Sequence, residues 1–235
     1  MRYRVQVVGW TLIWSGVLVF GYLGWLIYGT DFVNAGVQKS ATQDLNAALT
    51  EVIPEGETVD SDAFLGTSDR PVDVPDTVEF FEEEAPETGE PFSFLTIPDI
   101  GLEDVVVYEG VDTATLKNGP GHIGFTAVPG QPGNAVISGH RTTYGRPFFD
   151  LDLLGVGGRV VVETGVGTHI YEVRETIVVE PTDVWVTDPR PGGWLTLTTC
   201  NPRFSARERL VVFAEMVDGP NYDYIRLQEA KFSQS

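Results

Sequence analysis

From Val5 to Thr30 the chain carries no charged residue, and Val7, Val8, Trp10, Leu12, Ile13, Val17, Leu18, Val19, Phe20, Leu23, Leu26 and Ile27 fall on every face of a helix. Two dozen residues rising about 1.5 Å each reach roughly 36 Å, enough to cross a hydrocarbon layer of about 30 Å with some tilt. Arg2 and Arg4 precede the run, Asp31 follows it, and Tyr3, Trp25 and Tyr28 lie near its ends. The positive-inside rule then places the N-terminus in the cytoplasm and everything after Asp31 outside. The run is longer than the apolar core of a cleaved signal peptide and shows no small-residue cleavage site, so a retained single-pass anchor is expected.

Beyond it the patterning changes twice. Val33, Val37, Leu45, Ala48 and Leu49 stand among polar positions and predict a short juxtamembrane helix over 31–50. Residues 51–90 contain Pro54, Pro71, Pro75 and Pro86, the run Glu82-Glu83-Glu84 and few clustered apolar residues. Such a segment buries too little surface to offset its chain entropy, and it reads as a disordered, self-repelling spacer. From Phe92 onward short β-branched runs are separated by Gly, Pro and Asn. The predicted strands are Phe94–Ile97, Val105–Tyr108, Ala135–Ser138, Arg159–Glu163, His169–Val173, Thr176–Val179, Trp194–Thr199 and Leu210–Met216. Eight short strands with such turns predict an all-β barrel or sandwich, with short helices only at Thr113–Asn118 and Pro147–Leu154. The expected layout is 1–30 cytoplasmic tip and transmembrane helix, 31–90 juxtamembrane segment and acidic linker, 91–217 folded domain, and 218–235 polar tail.

Charge sharpens this layout. The formal net charge over 235 residues is −19, which argues against a nucleic-acid partner, since such interfaces depend on Lys and Arg neutralising phosphates. The excess is local: residues 51–90 hold fourteen carboxylates against Arg70 alone, whereas Pro91–Val217 nets only −6. The acidic run lacks the spacing of an EF-hand loop. One Cys excludes an intrachain disulfide and a Cys-rich metal site.

That cysteine, Cys200, ends the run Trp194–Thr199 and is followed by Asn201-Pro202, where Pro stops the ladder. A lone Cys is commonly a small core hydrophobe, but an unpaired thiol outside the cell is exposed to oxidation, so its retention at a strand's end favours a nucleophile. A thiol of pKa about 8.5 needs a base or a cationic neighbour at neutral pH. His140 also ends a strand-like run and opens the loop Arg141–Gly145, which favours it over His122 in its Gly-rich loop, though both remain candidates; His169 reads as a surface residue. Of the arginines after Cys200, Arg209 precedes the strand Leu210–Phe213 and stands nearer a neighbouring strand than Arg203 or Arg207 in the connecting loop. With ordinary pKa values, the thiolate–imidazolium form of a Cys–His pair is only about 1% as abundant as the neutral pair, which predicts modest turnover unless the site narrows the gap.

The segment Leu195-Thr196-Leu197-Thr198-Thr199-Cys200, with Arg209 nine positions on and Ser138-Gly139-His140 before it, resembles the sortases and their T-L-x-T-C signature. Ile97–Leu102, Gly119–His122, Gly139–Gly145 and Cys200–Ala206 resemble the class E, actinobacterial branch. The resemblance covers about Phe92–Val217 and implies a closed eight-stranded β-barrel with a triad of His140, Cys200 and Arg209. It implies a cysteine transpeptidase that cuts a Leu-Pro-x-Thr-Gly or Leu-Ala-x-Thr-Gly sorting signal after Thr and passes the acyl group to a cell-wall precursor amine, with no metal or cofactor required. Thr199, Thr198, His122 and Tyr144 become candidate substrate contacts. Partners would be secreted proteins bearing that signal, a lipid-II-type acceptor and the membrane. An L,D-transpeptidase would show His-Gly-Cys at its nucleophile, where Thr199 precedes Cys200 here, and a papain-like hydrolase would place Cys before His. Two alternatives remain: a tethered, inactive β-barrel binding module, and a pilin-polymerising sortase with residues 76–91 folded over the groove as a lid. The polar tail, too short to span, favours wall anchoring over pilin assembly.

Overall fold

The structure, a computed structural model, describes residues 2–25, 29–52 and 78–232. Helix α1 runs Arg2–Gly24 and α2 runs Thr30–Val52. Among the described residues no helix is long and apolar enough to cross a membrane; the expected Val5–Thr30 span includes residues 26–28, which lie outside them.

Eight strands close into a barrel: β1 Pro91–Ile97, β2 Leu102–Glu109, β3 Gly121–His122, β4 Gly133–Ser138, β5 Arg159–Glu163, β6 Thr168–Val179, β7 Gly193–Asn201 and β8 Glu208–Asp218. Their order around the barrel is β1-β2-β3-β4-β7-β8-β6-β5. The expected count of eight is met by different strands. The two predicted over 169–179 are one strand, β6, whose register against β8 shifts between Val173 and Glu175. The missing member is β3, two residues that pair parallel with β2 and antiparallel with β4. A two-residue strand has no alternation to read. Pro147–Leu154 forms only the 3₁₀ turn Leu151–Leu153, whereas α3 spans Thr113–Asn118 as expected, with the Asp112 carboxylate accepting from Ala114 N at 2.8 Å and Thr115 N at 3.3 Å.

Leu95, Ile97, Ala135, Ile137, Val160, Val162, Tyr171, Val173, Leu195, Leu197, Leu210, Val212 and Ala214 fill the interior. Their period of two puts the intervening residues of each strand on the outer face. On β1 and β2 that outer face is also apolar, and α2 covers it: Ala41, Leu45 and Leu49, spaced by four, pack on Phe94, Val106 and Tyr108. Since β3 pairs only with the end of β2, Val106 lacks a strand partner on that side. Gln38 supplies one, accepting from Val106 N at 2.9 Å and donating to Val106 O at 3.2 Å. The helix expected over 31–50 thus runs Thr30–Val52 and is integral to the domain.

Two further expectations are corrected. Residues 78–90, read as disordered spacer, lie against the barrel: Phe81 N donates to Asn221 Oδ1 at 2.9 Å, Gly165 N donates to Glu83 Oε1 at 2.9 Å, and the Phe80 ring lies 4.6 Å from that of Tyr224. Side-chain anchors of that kind leave no periodic pattern. Residues 53–77 lie outside the described residues. The tail forms α4, Tyr222–Phe232, which inserts Ile225, 3% exposed, into the main core.

His169, expected at the surface, is fully buried, sharing the inward parity of Tyr171 and Val173. Its Nε2 is 3.1 Å from Thr164 Oγ1, and the ring packs under the 128–133 turn so closely that a Cβ on Gly130 (φ 85°) would approach it to 2.2 Å. Burial lowers its pKa from 6.5 to about 4.

Two outcomes are expected. Ile225→Ala, which empties an aliphatic site in a closed core, will lower unfolding free energy by about 2–4 kcal/mol in denaturant titrations followed by circular dichroism. For His169, the unfolded chain takes up a proton below pH 6.5 while the native protein resists it until about pH 4. Stability will therefore fall as pH drops through that window, by up to about 3 kcal/mol, and denaturant midpoints against pH will show a shallower slope in His169→Gln.

Candidate active site

Register places three chemically capable side chains side by side. Strands β4 and β7 run parallel with Ser138 opposite Thr198, so continuing both by two residues brings His140 and Cys200 to the same rim with the same outward parity. Strand β8 runs antiparallel to β7 and pairs Arg209 directly with Cys200. Directly opposed residues of neighbouring strands put their side chains on one face, with Cβ atoms about 5 Å apart. Leu197 and Leu210 point inward, so Thr198, Cys200 and Arg209 point out. His140, Cys200 and Arg209 form one row on the barrel's outer face, and all three are partly exposed.

The same outer face is closed further down. Val186, Val211 and Phe213 form a small apolar cluster beneath the β6–β7 connection, with the Arg190 guanidinium 3.8 Å from the Phe213 ring centroid. Asn134 ties that connection down by donating to Val186 O at 3.1 Å and Asp188 O at 3.0 Å, while accepting from Thr196 Oγ1 at 2.6 Å. On that face Asn134, Val136, Thr196 and Thr198 are buried, whereas Ser138 and Cys200, at the rim, are partly exposed.

Each predicted residue has a definite place. Half-burial of His140 lowers its pKa from the ordinary 6.5, and its ring lies 5.0 Å from that of Tyr144. Burial therefore favours the neutral imidazole. Arg209 Nη1 donates to Ala206 O and Glu208 O at 3.0 Å each. Thr199, 2% exposed, donates its hydroxyl to Gly139 O at 2.7 Å, so it anchors the residue before His140. Thr198 is 9% exposed on the outer face beside Ser138. His122 sits apart from the row: it is fully buried, with Nδ1 2.6 Å from Glu109 Oε2 and Nε2 2.9 Å from Ala127 O. Its strand parity turns it toward Phe92 in the core, which leaves no surface for a substrate to touch. Among the described residues no cluster of His, Cys, Asp and Glu suits a metal ion.

Sequence reasoning missed Arg141. One position after His140 its parity reverses, and its side chain is buried behind the row. It donates to the carbonyl of Cys200 at 3.2 Å and to Asn201 Oδ1 at 2.7 Å, and pairs with Asp152 at 3.0 Å. Arg203, expected to be a loop residue only, pairs with Asp150 at 2.9 Å and Asp152 at 2.8 Å. Desolvation alone would raise the pKa of Asp152, but the Arg203 hydrogen bond and the charges of Arg141 and Arg203 outweigh it and hold the carboxyl below its usual value. This network stitches the end of β4 to the end of β7, fixing His140 against Cys200 from behind. The available signal was a charged residue adjoining the candidate histidine at a position whose parity turns inward.

Comparison with known proteins agrees with this architecture. The sortase domain family matches residues 95–217, just over half of the chain. Sortase SrtE1 of Streptomyces coelicolor is 35% identical over 149 residues, 56% of this chain but only 42% of that protein. Sortase D of Bacillus subtilis is 34% identical over 137 residues, covering 56% of this chain and 67% of that one. The solved structure of sortase E from Streptomyces avermitilis is 40% identical, with a TM-score of 0.52 over 57% of this chain and 91% of that chain. The barrel, its signature strand and these relatives lead to one conclusion: the chain belongs to the sortase family and is similar to its class E members.

Proposed function

We propose that the protein is a membrane-anchored cysteine transpeptidase that cleaves a Leu-Ala-x-Thr-Gly or Leu-Pro-x-Thr-Gly sorting signal after Thr and joins the new carboxyl end to an amine of a cell-wall precursor. The observation that carries the reading is the row formed by His140, Cys200 and Arg209 across three neighbouring strands. One relative, sortase E1 of Streptomyces coelicolor, has been solved with a tripeptide in its active site.

The chemistry follows from the row. The Cys200 sulfur adds to the Thr carbonyl carbon, its proton passing to His140, while Arg209, released from its loop carbonyls, meets the developing oxyanion with a permanent charge. Collapse breaks the C–N bond, and His140 gives the proton to the leaving glycine amine. The thioester is then attacked by the incoming amine, which His140 deprotonates, and the thiol is regenerated. The peptide would lie at the rim, over the partly exposed Ser138 and Cys200. The apolar run before Asp31, preceded by Arg2 and Arg4, supports an anchor with the barrel outside the cell. A lid over the groove is not supported by residues 78–90, which bond to Gly165 and Asn221 at the end of the barrel opposite Cys200.

The full chain in detergent, given a fluorogenic Leu-Ala-x-Thr-Gly peptide and triglycine, is expected to yield the amine-linked product by mass spectrometry, and Cys200→Ala to yield none. Absence of product from both sorting peptides, with Cys200 alkylating no faster than a free thiol, would favour a tethered binding module. The rate profile will be bell-shaped, its limbs belonging to the Cys–His pair together. Because half-burial disfavours the His140 imidazolium, the acid limb will fall below pH 6.5.

A further inference from the structure

We infer that Asp31, at the start of α2, is a positioning residue that sets His140 by clamping the loop that follows it. Resting on the transpeptidase reading, the inference starts from the backbone of that loop. Tyr144, Gly145 and Arg146 are three consecutive residues in the left-handed region, with φ of 51°, 78° and 50°. Two of them bear side chains, which disfavours this conformation, so it persists only where surrounding contacts over-determine it. Packing from below does not supply them, because a cavity of about 240 Å³ lies between α2 and the loop, lined by Gln38, Tyr144, Pro147 and Phe149 among others.

Discrete polar contacts from α2 hold the loop instead. One Asp31 oxygen accepts from Gly145 N at 3.0 Å, and the other pairs with Arg146 Nε at 2.9 Å. Asn34, one turn on, abuts Gly145 so closely that a Cβ there would lie 2.1 Å from its Oδ1, and it donates to the carbonyls of Lys117 and Asn118 at 2.9 and 2.8 Å. The Lys117 ammonium in turn lies 5.9 Å from the Tyr144 ring centroid. Tyr144 is thereby fixed from both sides, and its ring is the neighbour of the His140 imidazole. Losing the clamp frees Tyr144 and with it the imidazole, while the pairing of β4 with β7 that carries Cys200 stays intact. Asp31 adjoins the apolar run, so the clamp joins the membrane-proximal end of the chain to the catalytic loop.

The test compares the full chain in detergent with Asp31→Ala, Asp31→Asn and Arg146→Gln. Displacing a reacting group by a fraction of its geometry predicts a kcat about tenfold lower in Asp31→Ala with KM within about twofold. Asp31→Asn will recover part of this, since its amide oxygen still accepts from Gly145 N, and Arg146→Gln will lose less than Asp31→Ala. Alkylation of Cys200 by iodoacetamide, which needs no peptide, will slow in Asp31→Ala. A kcat and alkylation rate equal to those of the parent would overturn the assignment, as would a fall in melting temperature without change in either. Should Asp31→Ala fail to fold, Arg146→Gln decides by the same readings. Inactivity of the parent toward sorting peptides would count against the proposed function, whereas the alkylation comparison judges the clamp separately.

Discussion

The parallel pairing of β4 with β7 is the constraint from which the site follows. In parallel pairing both strands leave the sheet at the same end, so a two-residue extension of each carries His140 and Cys200 to the same rim. An antiparallel pairing of the same two segments would send their ends to opposite sides of the barrel. Parallel neighbours cannot be joined by a tight turn, and β4 and β7 are separated by β5, β6 and their connections. The barrel's closure is thus what brings the chain back beside β4 after residues 139–192. Thr199, bonded to the Gly139 carbonyl, and Arg141, bonded to the Cys200 carbonyl, then cross-link the rim in both directions.

Electrostatics at this rim divides labour between its two sides. Charge is concentrated behind the row, where Arg141, Arg203, Asp150 and Asp152 neutralise one another and make geometry rigid. A buried arginine with its carboxylates in place does little for net stability, but removing one partner leaves an unpaired charge, so such networks hold a unique arrangement. On the reacting side His140 is driven toward its neutral form by burial alone. A neutral imidazole can accept a proton only from a group its ring nitrogen faces, so its orientation matters. That gives physical weight to the loop that carries it and to the helix that grips the loop.

The segments outside the barrel are not passive. Helix α2 completes the outer edge of β2 through Gln38 and covers Phe94, Val106 and Tyr108, residues that would otherwise form an exposed apolar face. At the other end, α4 places Ile225 in the main core, and residues 78–90 join the same end through Asn221. The folded unit therefore extends on both sides of the matched sortase region, 95–217.

Much of this was legible from residue order, and the limits have identifiable causes. The strand pattern, the turn signals and the Cys200 neighbourhood are local, since period-two alternation and a strand-ending proline are written in adjacent residues. The same alternation, followed one step further, would have buried His169 with Tyr171 and Val173 and turned Arg141 inward behind His140. Other features had no local form. Strand β3 is too short for periodicity, the 78–90 segment is held by single side chains against residues up to 140 positions away, and Asp31 meets Gly145 across 114 residues. The sequence by itself determined a domain of short strands, barrel or sandwich, with Cys200, His140 and Arg209 as candidates at strand ends, and the resemblance to the sortases narrowed both, because alternation and motifs are written in adjacent residues. Only the tertiary structure decided that His122 is core, that Arg141 braces the end of β7 and that α2 grips the loop after His140, because each rests on contacts that exist only after the strands close.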